Sequence, residues 1–427
     1  VTASQPSTPP PRIYGPKEHR ITRADIDPDA LKVVLRLVRS GYKAYIVGGG
    51  VRDILIGKIP KDFDISTDAS PRDVKALFRN SRIIGRRFQL VHVFFAGGKN
   101  LEVSTFRDTA DVFGEAGAAD TTQEGETPSQ PAGDNVFGTE QTDALRRDLT
   151  INGLFLDLTS MSIIDYVGGM EDLNAGLVRV IGDPATRFKE DPVRMIRVIR
   201  HSARNGFSIE RGCWSAVIDN SHLLSKSAAV RIFDEVKKDL TSGHLLTILS
   251  LLQETGLLEQ IIPELLENQA VHLTDRSDFS RSIELIDEWV SSGEEVSPTV
   301  PLTIMAIFTA GSSLRAEDIA DEFESLGDFN EALSSTFTSL AVPRKERERI
   351  SLLASAWWRV QRSKPEALSP GANRRLQLLP ELVIMCRALA AGPADAARVR
   401  HLERILASRR ETPERLPHRA HRRHDHR

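Results

Sequence analysis

The sequence predicts an α+β protein: a head built on a mixed β-sheet, followed by an all-helical neck, body and tail. Three observations carry this reading. Strand-like runs separated by glycine turns recur as far as Pro184 and then stop. From residue 184 to about residue 408 the apolar residues follow helical spacing. A chain of 427 residues is too long for one compact core, so two to four domains are expected.

Residues 1–20 are Pro-rich and polar and read as a flexible leader. The segment IDPDALKVVLRLVRSG then opens a helix, with Asp27 as N-cap, Pro28 in the first turn and Gly41 as the stop. Residues 42–47 read as a strand running into Gly48, Gly49 and Gly50, then a short helix through Ile56. Residues 62–66 read as a second strand. Ser70 to Asp73 is a near capping box that starts a helix through Asn80. LVHVFFA, GGKN and LEVSTFR form a hairpin. Residues 108–143 contain no Lys or Arg, are rich in Gly, Ala, Thr and acids, and read as a mobile acidic loop. LRRDLTINGLFLDL, SIIDYVGG and LVRVIGDP bring strands back.

The expected domains are the leader 1–20, a head 21–183, a helical neck 184–270, a helical body 271–408 and a tail 409–427. Helix breaks fall near Gly206, Gly256, residues 291–301 and residues 364–373, and no tandem repeat is evident.

Hydrophobic residues at 40% and charged residues at 27% are ordinary for a soluble protein. No run approaches the ~20 apolar residues of a membrane span, and VTASQPSTPPPRIYGP lacks the features of a signal peptide. Cys213 and Cys386 are the only cysteines, which excludes a disulfide framework and a cysteine zinc site. A cytoplasmic location without membrane contact is expected, and the sequence names no protein partner. Net charge is −3, yet the tail from Arg409 holds seven arginines against Glu411, Glu414 and Asp425, with four histidines. Such an arm reads either as a phosphate contact to nucleic acid or as a solvated end.

Alternation along a strand turns Asp62 and Asp64 to one face, where two carboxylates invite a cation. Mg²⁺ suits such a pair, because it takes one or two carboxylates together with substrate phosphates. Glu102 in LEVSTFR is placed to be a third carboxylate. The turn GGGVRD lets backbone approach a phosphate closely, with Arg52 and Asp53 following at once, although taken alone a plain tight turn is the simpler explanation. It lacks the P-loop lysine and the acidic residue of the dinucleotide fingerprint.

In order, GGGVRD, DFD, RRD-x-TIN and ED-x-x-R resemble the DNA polymerase beta superfamily. Within it they resemble the class II branch of bacterial poly(A) polymerases and CCA-adding tRNA nucleotidyltransferases. The likeness covers residues 41–206. GRRFQLVHV, from Gly85 to Val93, is similar to the signature of the poly(A) polymerase branch, as is the opening DPDALKVVLRLVRSGYKAYIVGGGVRD.

The resemblance implies a nucleotidyltransferase head in which Asp62 and Asp64, completed by Glu102, hold two Mg²⁺ ions. The RNA 3′-hydroxyl then attacks the α-phosphorus of the nucleotide. Gly49, Gly50 and Arg52, with Asp53, are implied at the triphosphate. Arg147 and Asn152 are implied around sugar and phosphates, with Asp148 in the active site. Glu190, Asp191 and Arg194 are implied to read the base, Asp191 and Arg194 being i and i+3 on one helix face. Arg86, Arg87, Arg197 and Arg200 are assigned to RNA, with the solvated face as the alternative for Arg197, Arg200 and Arg204. Leu149 stands where the family has an aromatic, and Gly153 where it has alanine.

The expected activity is template-independent addition of AMP from ATP to RNA 3′ ends, with pyrophosphate released. The alternative is CCA addition to tRNA, which shares every catalytic residue named. A third reading, a non-catalytic RNA-binding protein, is opposed by the intact Asp62, Asp64, Glu102 and Asp148.

Overall fold

The computed structural model describes residues 10–85, 89–108, 137–267, 277–313, 315–363, 378–390 and 392–410. The chain divides into two compact units, residues 1–227 and 228–427.

In the first unit, β1 (Arg12–Tyr14) precedes α1 (Pro28–Arg39). The Asp27 carboxylate accepts from the N–H groups of Asp29 and Ala30 at 2.9 and 3.2 Å, a cap worth about 1 kcal/mol. Gly41 follows the helix at φ +90°, where a side chain would be strained. Next come β2 (Ala44–Val47), α2 (Gly49–Leu55), β3 (Asp64–Thr67), α3 (Pro71–Leu77), β4 (Ser81–Ile84), β5 (Leu90–Phe94) and β6 (Asn100–Thr105). After the undescribed stretch lie α4 (Glu140–Leu145), β7 (Leu154–Asp157), β8 (Ser162–Asp165), α5 (Gly169–Ala175) and β9 (Leu177–Val178). The unit closes with α6 (Pro184–Glu190), α7 (Arg194–Asn205), β10 (Ser208–Ile209) and α8 (Arg211–Asn220).

Among the described residues the main sheet has eight strands in the order β1-β8-β7-β2-β3-β6-β5-β4. The β3–β6 pair is parallel and the other pairings are antiparallel, so the sheet is mixed as expected. Its register separates the two faces. Ile46 lies opposite Ile65, Ile65 opposite Val103 and Val103 opposite Val91, and this row packs into the core with Val33, Val34 and Leu37 of α1. One step along, Val47 lies opposite Asp64 and His92 opposite Glu102, on the other face.

Several expectations are corrected. The second strand begins at Asp64, not Asp62, because β2 ends at Val47, the partner of Asp64, and leaves residues 62 and 63 nothing to pair with. Part of the leader is a strand: β1 pairs antiparallel with β8, Arg12 opposite Asp165, in a run of three residues too short to show a pattern. Within the acidic stretch, residues 109–136 lie outside the description, but Glu140–Leu145 form α4, capped by Thr139. Asp191 and Arg194 do not share a helix. Asp191 sits at φ −145°, ψ 90° between α6 and α7, since Pro192 bars the residue before it from helical geometry.

The second unit is helical throughout its described residues: α9 (Ala229–Asp239), α10 (Leu245–Glu254), α11 (Leu257–Ile261), α12 (Pro263–Glu267), α13 (Asp278–Ser291), α14 (Thr299–Ala310), α15 (Ala316–Asp321), α16 (Leu326–Ser334), α17 (Arg344–Gln361), α18 (Leu379–Leu389) and α19 (Pro393–Arg410). Helix α14 is buried from Thr299 to Phe308, apolar all round as a central helix must be, and packs on α13, α16, α17 and α18. Asp287 of α13 accepts from the N–H groups of Leu245 and Leu246 at 2.8 and 2.9 Å, capping α10 from outside. Among the described residues no helix is long and apolar enough to cross a membrane. Cys213 and Cys386 are buried and free.

Candidate active site

The site begins where β2 gives way to α2. Gly48 takes φ +74°, a conformation that disfavours any side chain. A methyl there would sit 3.4 Å from Arg147 Nη1 and 3.5 Å from Asp64 Oδ2, so this glycine lies between the two charges. At Gly49 a methyl would stand 3.4 Å from the Arg52 guanidinium, and at Gly50 it would press to 3.0 Å on the carbonyl oxygen of Asp62. The third glycine is thus small so that α2 can pack on the segment carrying Asp62.

Asp64 and Glu102 are neighbours across the parallel β3–β6 pair, one step back from Ile65 and Val103, and point the same way. Their faces meet further along, where Ser66 Oγ lies 3.2 Å from Ser104 Oγ. Both carboxylates reach solvent from a floor crowded by protein. That crowding raises the Asp64 carboxyl above its usual range, Arg147 pulling against it and Asp62 adding to it. Glu102 is raised by the same desolvation and then by Asp64. His92, directly opposite Glu102, holds Nε2 3.8 Å from Oε2. Among the described residues no group of three or more His, Cys, Asp and Glu side chains closes to metal-holding distance. Asp62 adds its charge to both Asp64 and Glu102, and the three do not form a closed cage.

Arg147 is aimed at this face by a buried carboxylate. Asp143 Oδ2 accepts from Arg147 Nη2 at 2.9 Å and Asp143 Oδ1 from Arg146 Nε at 2.9 Å. Burial acts to raise the Asp143 carboxyl, but the two guanidiniums outweigh it and hold it below its ordinary value. Arg147 also donates to Ser66 Oγ at 3.2 Å and lies over the Phe155 ring.

Arg52, expected at the triphosphate, has its guanidinium engaged by protein groups. It is buried on the inner face of its helix. Nε and Nη2 donate to Asp53 Oδ1 at 2.9 and 2.7 Å, and Nη1 donates to Asn152 Oδ1 at 2.6 Å and to His201 Nδ1 at 3.2 Å. Asp53 holds Arg52, and Arg52 holds Asn152. The Asn152 amide in turn points at Asp148 Oδ1, 3.4 Å away, while the Leu149 N–H donates to that oxygen at 2.9 Å. Arg197 Nη1 stands 3.7 Å from Asp148 Oδ2. Burial works to raise the Asp148 carboxyl, yet the Arg197 charge and the hydrogen bonds from Leu149 and Asn152 leave it below its ordinary range. The departures at this element have packing reasons. Leu149 is fully buried and bridges Val180, and a methyl on Gly153 would come within 2.6 Å of Val167.

Around the α6–α7 break, Glu190 Oε2 lies 3.0 Å from Arg187 Nη1 and 3.7 Å from Arg194 Nη1, and Arg194 Nε is 3.9 Å from Asp191 Oδ2. Arg194 Nη1 is buried with no hydrogen-bond partner. Arg187 Nη2 donates to the carbonyls of Leu145, Arg146 and Arg147 at 3.3, 2.9 and 3.1 Å.

The structure thus brings together Asp62, Asp64 and Glu102, and separately Arg52, Asp53, Asp148, Asn152 and Arg197. Arg200 is buried, so it presents no cation to a surface, contrary to its assignment to RNA. Arg86 and Arg87 lie outside the described residues. Sequence reasoning missed Asp143, Arg187 and His201. Asp143 and Arg187 were findable as i,i+4 and i,i+3 ion pairs with Arg147 and Glu190. Cavities of about 620 and 790 Å³ in the helical unit are lined by none of these side chains.

Residues 44–179 match the poly A polymerase head domain, and residues 206–268 match the family described as the probable RNA and SrmB-binding site of polymerase A. The chain is 37% identical over 357 residues to poly(A) polymerase I of Escherichia coli O6:H1, covering 81% of this chain and 74% of that protein. A CCA-adding enzyme of Bacillus pumilus is 35% identical over 232 residues, covering 54% of each. The solved Bacillus stearothermophilus CCA-adding enzyme in complex with CTP superposes with a TM-score of 0.60 at 25% identity, covering 90% of this chain and 83% of that one. With its head motifs in order and its likeness running through most of both chains, this protein belongs to the bacterial poly(A) polymerase family.

Proposed function

We propose that this protein is a polynucleotide adenylyltransferase that adds AMP from ATP to RNA 3′ ends without a template, releasing pyrophosphate. The observation that carries the reading is the closeness of Asp64 and Glu102, one step before the Ile65–Val103 pair and beside Gly48, in a chain of this family. Asp62, Asp64 and Glu102 fit two Mg²⁺ ions: they are hard oxygen donors, two of them are destabilised as free carboxylates, and Mg²⁺ keeps waters and takes substrate phosphates as further ligands. Held by these carboxylates, Mg²⁺ would lower the pKa of the attacking hydroxyl and neutralise phosphate charge. Gly48 and Gly49 leave room for phosphate beside α2. Arg147, braced by Asp143, sets a cation at the same edge, where positioning and charge supply most of phosphoryl transfer. Arg52 acts at one remove, holding Asn152 against Asp148 at the sugar.

Base choice falls to Glu190, Asp191 and Arg194. The unspent Nη1 donor of Arg194 suits a ring nitrogen, and a carboxylate suits the exocyclic amine of adenine. RNA is the acceptor, gripped through phosphates, with Arg86, Arg87 and Arg197 as the cations assigned to it, in a protein that works in the cytoplasm.

The test incubates purified protein with Mg²⁺, one NTP at a time, and either a generic RNA or a tRNA lacking its terminal CCA. Long tails from ATP alone on the generic RNA are expected. Growth that needs CTP and is confined to the tRNA would replace polyadenylation with CCA addition. No transfer at all would leave an RNA-binding protein.

A further inference from the structure

Arg187 joins two parts of the site that the chain separates by some forty residues. On one side its Nη2 caps the last carbonyls of α4 and its exit, at Leu145, Arg146 and Arg147. Those carbonyls are otherwise orphans of a helix end, and a guanidinium satisfies them with charge of the favourable sign. On the other side Nη1 donates to Glu190 Oε2 at 3.0 Å. Arg187 is largely buried, with 11% of its side chain exposed, so neither contact is a screened surface pair. Arg194 approaches the same Glu190 oxygen but only to 3.7 Å, so Arg187 is the closer holder of that carboxylate.

We infer that Arg187 is a positioning residue for nucleotide selectivity. It references Glu190, and through it Arg194, to the backbone that carries Arg147 and Asp148. The inference rests on the reading of Glu190, Asp191 and Arg194 as the base-selecting group. A planar fork is needed for this task. A lysine ammonium can meet either the carbonyls or Glu190, but its single nitrogen cannot serve both at their separation. Freed from Arg187, Glu190 turns toward Arg194, occupies the donor meant for the base and blunts the choice among nucleotides. The chemistry at Asp62 and Asp64 is left alone, because Arg187 contacts neither.

The experiment measures kcat and KM for ATP, CTP, GTP and UTP on a generic RNA with wild type, Arg187→Lys, Glu190→Gln and the double variant, with melting temperatures for each. For Arg187→Lys the preference for ATP over CTP falls roughly tenfold, the worth of one charge-assisted hydrogen bond, while kcat with ATP stays within about threefold. Because Arg187 acts through Glu190, the double variant loses less preference than the product of the single losses. An unchanged preference in Arg187→Lys overturns the inference, as does an equal drop on all nucleotides or multiplicative losses. A wild type without preference for ATP overturns the polyadenylation reading itself, and is seen before any variant is compared.

Discussion

Arg52 Nη1 donates to His201 Nδ1 at 3.2 Å, and since a guanidinium has no lone pair, that ring nitrogen must be the acceptor. The imidazole is therefore neutral, its remaining proton on Nε2. Burial, and then the Arg52 charge, push its pKa down to about 3. An unfolded histidine takes up a proton near pH 6.5, so between about pH 6.5 and 3 the unfolded chain binds a proton that the native ring refuses. This contribution to stability is complete above pH 6.5 and is lost as pH falls. Urea midpoints at pH 7 and 4.5 are expected to show His201→Gln losing less than wild type, by on the order of 2 kcal/mol. Equal acid sensitivity would refute it.

Asp143 anchors Arg146 and Arg147, so Asp143→Ala strands two arginines at a buried spot. A loss of about 3–5 kcal/mol in chemical denaturation is expected at neutral pH. Its depressed pKa makes this stabilisation present above the unfolded carboxyl pKa and lost as pH falls through the native one. Turnover should fall with it, because Arg147 loses its aim at Asp64. A variant that denatures like wild type would show the pair to be ornamental.

The opposite sign holds at Asp64. Its raised pKa means the native carboxyl keeps its proton to higher pH than the unfolded one, so stability falls as pH rises through that window and the charge is a cost at neutral pH. Asp64→Asn should melt at or above wild type without divalent cation, yet lose at least about 10²-fold in transfer. Mg²⁺ should raise the melting temperature of wild type and not of the variant. Undiminished turnover would sink the metal assignment.

Gly48 and Gly50 are small for different reasons, and alanine should tell them apart. Gly48→Ala puts a side chain at φ +74° and is expected to cost about 1–3 kcal/mol in stability as well as activity. Gly50→Ala carries no such strain but pushes on the Asp62 carbonyl, so transfer should drop more than melting temperature does. Matching profiles for the two variants would contradict this division.

The sequence was most readable where one local rule decides. Asp27 and Gly41 bound α1 because capping is a matter of neighbours in the chain. The hairpin of β5 and β6 came from alternation around a glycine turn, and it set Glu102 beside the carboxylates. What could not be read depends on distant partners. Asp62 looked like a strand residue until β2 failed to extend opposite it. Arg52 looked like a phosphate ligand, and only the packing of Asn152 and His201 against it shows that it is spent inside. Arg200 follows the same rule: periodicity marks a helix, but not which neighbour covers its face.

The edge strand β1 has a consequence for how the head is made. Arg12 pairs with Asp165, and β2 with β7, so strands early in the head are completed by strands more than a hundred residues later. On a ribosome releasing about 5–20 residues per second, Arg12 to Tyr14 wait about 7–30 s for their partner. Pairings so remote in sequence are slow to close and leave a bare edge meanwhile. A pulse of protease on stalled nascent chains should therefore cut at Arg12 to Tyr14 until residue 165 has cleared the exit tunnel, and spare that site afterwards.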